Sequence, residues 1–372
     1  MFRLLSGFFA CSMIVANILP TRTTAQTALM PSSQGTLQIT TVLTELDVPW
    51  AIGFLPDGAF LVTERDGDLL LVQDGKTRAV RGLPEIQAQG QGGLLDVLVP
   101  RDFEVSGQIF LTLSKQQSVG AGTAVAVGQL DLRLARLTQT HIIFEAAPSS
   151  NTGRHFGSRM VEAPDGTLFV TLGDRGQAAS AQDLSLHQGS IIRINRDGSI
   201  PPNNPLVNIP GTQPEIWSFG HRNPQGLALS QDGVLWAVEH GARGGDEVNR
   251  VHKGANYGWP VISYGRHYSG AKIGEGTRKP GMEQPEYYWD PSIAPSGLMI
   301  YSGRLWPQWR GHLFVGSLKF DHIARLAGGR LSEREQLSSQ QTARVRDIRE
   351  APDGSIWFIS VGNGSVYKIS RE

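Results

Sequence analysis

The apolar positions of this chain are concentrated in short segments that each follow an Asp-Gly pair. Asp-Gly supplies the positive φ of a tight hairpin turn, and the β-branched and aromatic residues after it suit a pleated, half-buried strand. No segment shows sustained helical periodicity. The pattern therefore predicts an all-β chain with this turn and strand at four places, namely residues 54–63, 163–171, 230–238 and 351–359.

The spacing of these turns predicts how often the unit repeats. Asp57, Asp165, Asp232 and Asp353 lie 108, 67 and 121 residues apart, which corresponds to two, one and two repeats of roughly 60 residues. Five intervals give six repeats, and repeated four-stranded antiparallel units that close on themselves form a six-bladed β-propeller. The alternative is a sandwich of unrelated hairpins, but about 340 residues exceed a single sandwich.

The N-terminal segment differs from the rest of the chain. Arg3 precedes an almost wholly apolar run from Leu4 to Leu19, and small residues end at Ala25, so we expect residues 1–25 to be a cleaved signal peptide. The run is shorter than the roughly 20 residues of a membrane-spanning helix, which disfavours the alternative of an anchor. Lipidation at Cys11 is a second alternative. We expect residues 26–34 to be disordered and residues 35–372 to form a single propeller domain, periplasmic or secreted.

Composition narrows the range of partners. The 34 basic residues balance the 34 acidic ones, and removal of residues 1–25, which hold Arg3 and Arg22 and no acid, leaves 32 against 34. This balance disfavours a nucleic-acid partner. Cys11 is the one cysteine, so the mature chain would contain none, and its stability cannot depend on disulfides. Glycine and proline make up about 17% of the chain, which indicates many turns.

Several loops between the predicted strands carry chemically useful side chains. Gln91 lies in a glycine-rich segment, where the backbone can approach a ligand closely. His155 lies in a glycine-flanked turn, and Asp174 occupies a similar turn one hairpin later. A carboxylate beside an imidazole orients it and raises its basicity, as a general base requires.

Two further loops indicate anion and calcium binding. Arg222 and Asn223 precede a proline, so they lie in a constrained, extended turn that suits recognition of a carboxylate or of a carbonyl oxygen. Residues 239–247 combine carboxylates, glycines and backbone carbonyls, the hard oxygen ligands that calcium prefers, without the spacing of an EF-hand. Each loop alone could equally be a solvated surface loop.

A cationic group lies near the C-terminus. Lys319 follows an apolar strand, and Arg344 and Arg346 alternate so that both share one face of a strand. Cations without neighbouring acids favour an anionic ligand that carries several carboxylates or phosphates. The alternative is a set of ordinary surface charges.

Together these segments resemble the soluble, pyrroloquinoline-quinone (PQQ)-dependent aldose sugar dehydrogenases, relatives of soluble glucose dehydrogenase. The resemblance covers essentially the whole mature chain and implies a six-bladed propeller. The matching segments are residues 49–51, 90–96, 155–159, 222–226, 239–241, 244–247 and 256–260.

The resemblance also implies roles for individual residues. His155 matches the catalytic base, and Arg222 with Asn223 matches a quinone-contacting pair in which Arg222 polarises the reactive carbonyl. Further cofactor contacts match Gln91, Lys319, Arg344 and Arg346, and Tyr268 is expected to line the cofactor pocket. Two calcium sites are implied, the first at the carbonyls of Gly241 and Ala242 and the second at Glu247 and Tyr257. Arg154, where some relatives carry Asp, departs from the pattern beside the base.

The implied activity is oxidation of the C1 hydroxyl of an aldose to a lactone, with hydride transfer to PQQ and Ca²⁺ as a second cofactor. The electrons would pass to an external acceptor of unknown identity, and we expect a monomer or weak dimer without stable membrane insertion. Two alternatives stay open from the residues alone, a calcium-dependent propeller hydrolase similar to a lactonase and a non-catalytic propeller binding module.

Overall fold

The computed structural model describes residues 27–372, which form six antiparallel sheets arranged as the blades of a β-propeller. The predicted all-β class and six-bladed architecture are confirmed. The first strand of each blade packs against the first strands of the two neighbouring blades, so these strands surround the central channel. The predicted signal peptide and Cys11 lie outside the described residues. Among residues 27–372, none of the helices has the length and apolarity needed to cross a membrane.

The strands follow one another around the ring in chain order. Strands β1 (Thr27–Ser32) and β2 (Gly35–Leu43) belong to the last blade. Blade 1 contains β3 (Pro49–Phe54), β4 (Phe60–Glu64), β5 (Leu69–Gln73) and β6 (Lys76–Ala79). Blade 2 contains β7 (Leu94–Leu98), β8 (Gln108–Gln116), β9 (Ala121–Asp131) and β10 (Arg136–Glu145). Blade 3 contains β11 (Met160–Glu162), β12 (Leu168–Thr171), β13 (Ser190–Ile194) and β14 (Ile216–Phe219).

Blade 4 contains β15 (Pro224–Leu229), β16 (Leu235–Glu239), β17 (Asp246–Val251) and β18 (Tyr287–Trp289). Blade 5 contains β19 (Pro295–Ile300), β20 (Leu313–Ser317), β21 (His322–Ala327) and β22 (Ser332–Ser338). Blade 6 contains β23 (Val345–Glu350), β24 (Ile356–Ser360) and β25 (Ser365–Arg371), followed outward by β2 and β1. The helical segments are short: α1 (Phe103–Ser106) and the 3₁₀ turns Ala178–Gln182, Pro307–Trp309 and Gln340–Thr342.

The four Asp-Gly turns occupy equivalent places in their blades. Each connects the first strand to the second, in blades 1, 3, 4 and 6, so the intervals of two, one and two repeats are correct. Gly58 has a φ of 85°, a value that glycine adopts without steric cost, and Asp57 accepts a hydrogen bond from the N–H of Ala59 at 3.0 Å. In blades 2 and 5, α1 and Pro307–Trp309 respectively connect the first strand to the second, so these blades lack the Asp-Gly turn.

The two ends of the chain close the ring within blade 6. β2 pairs antiparallel with the C-terminal β25, and β1 pairs with β2 from Thr27↔Thr40 to Ser32↔Gly35. The expectation of disorder for residues 26–34 is therefore wrong for the described residues 27–34. A continuous ladder of backbone hydrogen bonds and full burial of Met30 order them as a fifth strand of the blade.

The core is divided among the interfaces between blades. Six buried apolar clusters each combine side chains from two neighbouring blades, and together they complete the circle. In the cluster between blades 1 and 6, for example, Ile52 and Val62 pack with Ile359 and Val366. Every blade is therefore stabilised on both faces only when the ring is closed.

Whereas apolar side chains fill the interfaces between blades, polar side chains fill the centre of the channel. Arg159 is 1% exposed, and its Nη1 lies 3.0 Å from Asp96 Oδ1 and 3.1 Å from Asp347 Oδ1. Arg349 contacts the same two carboxylates through Nη2 at 2.9 Å and Nε at 3.0 Å. Burial lowers the pKa of Arg349, but the charges of Asp347 and Asp96 outweigh it and raise that pKa above its usual value. We call these four residues the central ion-pair cluster; they join blades 2, 3 and 6.

Backbone groups connect the cluster to two more blades. The N–H of Ile52 in blade 1 donates to Asp347 Oδ2 at 3.0 Å, and Arg159 Nε donates to the carbonyl of Gln225 in blade 4 at 3.1 Å. Arg159 also lies over the Trp50 ring, 4.3 Å from its centroid. The cluster thus ties five of the six blades together at the axis.

The cluster predicts an unequal cost for breaking two ion pairs. Arg159→Met removes a buried cation from between two buried carboxylates and should lower the free energy of unfolding by about 3–5 kcal/mol. Lys368→Met removes an exposed pair with Asp353, at 2.7 Å, and should cost less than about 1 kcal/mol. Urea unfolding followed by tryptophan fluorescence measures both, and equal losses would contradict the central role of Arg159.

Candidate active site

The strand order brings the predicted site residues to one face of the propeller. In an antiparallel blade, the loop that enters the first strand and the loop between the second and third strands emerge on the same side. His155, Asn223 and Arg344 lie in loops that enter a blade, while Asp174 and Lys319 lie between second and third strands. The Asp-Gly turns therefore lie on the opposite face.

A cavity of about 1070 Å³ opens on this face and is lined by residues from all six blades. Eight predicted site residues line it: Gln91, Asn223, Gly241, Ala242, Tyr268, Lys319, Arg344 and Arg346. His155, Asp174 and Arg222 lie beside its wall rather than in its lining. Glu247 and Tyr257 are not among the lining residues.

His155 and Asp174 form a close pair, as the sequence predicts. His155 Nδ1 lies 2.6 Å from Asp174 Oδ1, and the indole N–H of Trp259 donates to Asp174 Oδ2 at 2.8 Å. The backbone N–H of His155 donates to Gln91 Oε1 at 2.8 Å, which fixes the loop against the cavity wall. A Cβ on Gly173 would lie 2.1 Å from the His155 carbonyl, so only glycine allows the two loops to approach this closely.

The surroundings of this pair favour a neutral imidazole. Burial lowers the pKa of His155, and the charges of Arg222 and Arg154 lower it further, which together outweigh the opposing effect of Asp174. Burial raises the pKa of Asp174, but the hydrogen bond and charge of His155, the N–H of Gly176 and the charge of Arg222 together outweigh burial and hold that pKa below its usual range. Near neutral pH, Nδ1–H therefore faces an ionised Asp174, and Nε2 carries a lone pair that can accept a proton.

Both the backbone and the guanidinium of Arg222 are fixed by neighbouring groups. Its backbone N–H donates to Glu239 Oε2 at 2.7 Å, its Nη1 donates to the carbonyl of His240 at 3.2 Å, and its guanidinium lies 5.4 Å from the centroid of the Trp259 ring. Asn223 Oδ1 accepts the N–H of Gly157 at 3.2 Å, which leaves its NH₂ group as a donor at the cavity.

Five cations line the cavity: Arg65, Arg243, Lys319, Arg344 and Arg346. Burial, followed by the charges of Arg159 and Arg344, lowers the pKa of Arg346 to about 9. The side chain of Arg346 donates to Gln225 Oε1 at 3.0 Å, a neutral partner that does not compensate its charge. Arg65 pairs with Asp66 at 3.2 Å and Asp290 also lines the cavity, but the cations of the lining outnumber these carboxylates. The net positive charge stabilises a bound anion.

A buried carboxylate and a half-buried one lie at the ends of the strands that flank the Gly241 loop. Glu239 and Glu247 face each other across β16 and β17, and Asn249 Nδ2 donates to both carboxylates at 3.2 Å. Burial and the charge of Glu239 raise the pKa of Glu247 to about 8. Within the described part of the chain, Asn249 Oδ1 is a buried acceptor without a hydrogen-bond partner.

The predicted ligand Tyr257 is engaged elsewhere. Its hydroxyl donates to the carbonyl of Arg250 and accepts the N–H of His252 at 2.8 Å, and its ring stacks on His221 at 4.5 Å. The hydroxyl is therefore unavailable to a metal, and only the backbone carbonyl of Tyr257 could serve as a ligand. Across residues 27–372, no three His, Cys, Asp or Glu side chains group as a metal site, so a cation here would also need carbonyl or amide oxygens.

Several residues of the site had no role assigned from the sequence. Arg65 and Gln225 line the cavity, Trp259 holds Asp174, and His240 donates from Nε2 to the carbonyl of Pro295 at 2.7 Å. Burial and the nearby Arg222 lower the pKa of His240 to about 3, so it stays neutral. His240 and Trp259 belong to segments that carried the resemblance, whereas Arg65 follows β4 without any local signal.

Known proteins resemble this chain over most of its length. The family model described as "Glucose / Sorbosone dehydrogenase" matches residues 46–368. Aldose sugar dehydrogenase YliI of Escherichia coli (strain K12) is 40% identical over 349 residues, covering 91% of this chain and 94% of that protein. Quinoprotein glucose dehydrogenase B of Acinetobacter calcoaceticus is 26% identical over 407 residues, covering 86% and 84% respectively. The crystal structure of the soluble aldose sugar dehydrogenase from Escherichia coli in the apo-form has a TM-score of 0.87 at 40% identity, covering 90% of this chain and all of that chain.

The electrostatics of the pair predict opposite pKa shifts for two substitutions. Asp174→Asn removes an interaction that raises the pKa of His155, so that pKa should fall further below 6.5. Arg154→Gln removes a charge that lowers it, so the pKa should rise. NMR titration of the His155 ring in the cofactor-free protein measures both. Shifts in the same direction would contradict this account of the site.

Proposed function

This chain belongs to the glucose/sorbosone dehydrogenase family and is an oxidoreductase, and we propose that it oxidises the C1 hydroxyl of aldose sugars to lactones with PQQ as its cofactor. The observation that carries the proposal is the cationic cavity with a neutral His155 held by an ionised Asp174 at its wall. Neither alternative from the sequence, a hydrolase or a binding module, accounts for this concentration of positive charge. The periplasmic or secreted location belongs to the same proposal and rests on residues 1–25.

The cavity fits a planar cofactor that carries several carboxylates. Lys319, Arg344 and Arg346 would bind the carboxylates, and Gln91, Asn223 and Tyr268 would complete the pocket, with Arg222 at the reactive carbonyl. The lowered pKa of Arg346 supports this assignment, because a bound anion would relieve the repulsion among the cations.

Calcium fits two places near the same loop. Gly241 and Ala242 line the cavity, and their carbonyls are hard oxygen donors that would hold one ion beside the cofactor. Glu247 and the backbone carbonyl of Tyr257 would hold a second. The raised pKa of Glu247 and the unpartnered Asn249 Oδ1 support a cation there, since both are relieved by a positive charge.

The proposed chemistry assigns proton transfer to the chain. His155 Nε2 accepts the proton of the C1 hydroxyl while Asp174 holds Nδ1–H and stabilises the imidazolium that forms. Trp259 keeps Asp174 in place, and Arg222 supplies a fixed positive charge where negative charge develops. When bound, PQQ with Ca²⁺ would provide an electron-deficient carbon as the hydride acceptor, and an external acceptor would receive the electrons.

Reconstitution tests the reaction directly. Purified protein with PQQ and Ca²⁺ should bleach a redox dye when glucose is added, and omission of either addition should abolish bleaching. His155→Ala should lower kcat by about 10²- to 10⁴-fold, because the general base is lost. Its affinity for PQQ, measured by fluorescence titration, should change little. Unchanged turnover in this variant contradicts the assignment of the base, and lactone hydrolysis without PQQ would support the hydrolase instead.

Removal of one cation from the cavity tests cofactor binding separately. Arg346→Gln should weaken PQQ binding by about 30-fold or more, because a charge-assisted contact in a partly buried site is lost. Arg136→Gln removes the same charge from an exposed position on β10 and serves as the matched control. Equal PQQ affinity in the two variants would place the carboxylates elsewhere.

A further inference from the structure

A second cavity of about 1110 Å³ adjoins the candidate active site but has no part in the chemistry above. It lies between the outer strands of blades 4 and 5, where β18 faces β21 and β22. Asp290 and Pro291 line both cavities, so they form a common wall. We refer to the second cavity as the aromatic groove.

The groove presents aromatic rings beside polar groups. Tyr264 and Tyr288 stack with their centroids 4.1 Å apart, which covers one face of the Tyr288 ring, yet 44% of Tyr288 stays exposed. Phe320 is 46% exposed, and Lys319 of the first cavity lies over its ring at 4.8 Å. Phe320 therefore marks the boundary between the two cavities.

One polar atom in the groove has no partner. His322 lines the groove and is 3% exposed, and its Nδ1 lies 3.2 Å from the carbonyl oxygen of Phe320, to which it donates. The neutral ring then has an acceptor at Nε2, and this atom has no hydrogen-bond partner among residues 27–372. A buried acceptor without a partner is unfavourable, so a ligand hydroxyl that reached Nε2 after a small movement of the groove side chains would relieve that cost.

Exposed aromatic rings, a buried acceptor and exposed charged groups match the chemistry of a sugar chain. A pyranose ring packs its C–H face on an aromatic ring while its hydroxyls donate and accept hydrogen bonds at the edge. Arg278, Arg330 and Gln336 line the same groove and offer such partners. Because Asp290 and Pro291 line both cavities, a chain whose reducing end lies at the active site would pass along these two residues to reach the groove.

We propose that the aromatic groove binds the distal units of an oligosaccharide whose reducing end is oxidised in the neighbouring cavity. This inference rests on the proposed function for the identity of the reaction, but binding in the groove is a property of the chain without cofactor. It predicts that short glucose oligomers are better substrates than glucose itself.

Binding can be measured without turnover. Maltotriitol and cellotriitol, trisaccharides whose reducing end has been reduced, should bind to the cofactor-free protein in calorimetric titration. Tyr288→Ala should weaken this binding by about fivefold or more, while Tyr288→Phe retains the ring and should bind like the parent. Leu134→Ala removes an apolar side chain of equal exposure, 44%, far from the groove and should also leave binding unchanged. His322→Phe keeps an aromatic ring, removes the acceptor and should weaken binding.

Turnover separates failure of this inference from failure of the proposed function. With PQQ and Ca²⁺, the ratio of kcat/KM for maltotriose to that for glucose should fall at least about fivefold in Tyr288→Ala. If the parent protein oxidises glucose but this ratio and the binding of both alditols do not change, the groove is not a sugar site. If glucose is not oxidised, but the alditols bind and Tyr288→Ala weakens their binding, the proposed reaction is wrong and the groove is still a sugar site.

Discussion

The central ion-pair cluster is the interaction on which the rest of the molecule depends. A closed ring of blades leaves a channel at its axis, and side chains from different blades must fill it without leaving unpaired charge. Arg159 and Arg349 do so by sharing Asp96 and Asp347, which joins three blades through charge and two more through the backbone of Ile52 and Gln225. The first strands of these five blades are thereby fixed, and the loops just before them form much of the site.

The same cluster shapes the electrostatics of the cavity above it. Asp96 and Asp347 are each engaged by two arginines, so little of their charge remains to compensate Arg346, one position before Asp347. Arg346 faces the other way, toward the Gln225 amide and the cavity cations. Side chains alternate between the two faces of β23. Arg349 therefore lies at the axis, where carboxylates pair with it, whereas Arg346 lies at the cavity without a carboxylate partner among the described residues.

Local turn chemistry made much of the fold predictable. The Asp-Gly turns gave the number of blades, since a hairpin is specified by adjacent residues, although blades 2 and 5 lacked the signal. The ordering of residues 27–34 was missed because β1 depends on a partner strand, β2, that the closed blade holds in place. His155 and Asp174 could be paired because each lies in a glycine-flanked turn, whereas Arg65 reaches the site only because the ring closes. The position of Arg65 at the cavity depends on closure of the propeller, and the residues around Arg65 in the sequence do not indicate it.

The cations of the cavity and the neutral state of His155 are physically linked. Arg222 lowers the pKa of both His155 and His240, so the charge that favours an anionic ligand also keeps the imidazole unprotonated before the ligand binds. An anion placed beside Arg222 would offset part of that charge and raise the pKa of His155. Because Asp174 is already ionised and held by Trp259, the raised pKa would strengthen the base without altering its geometry. The base would then be strongest when its cofactor is in place.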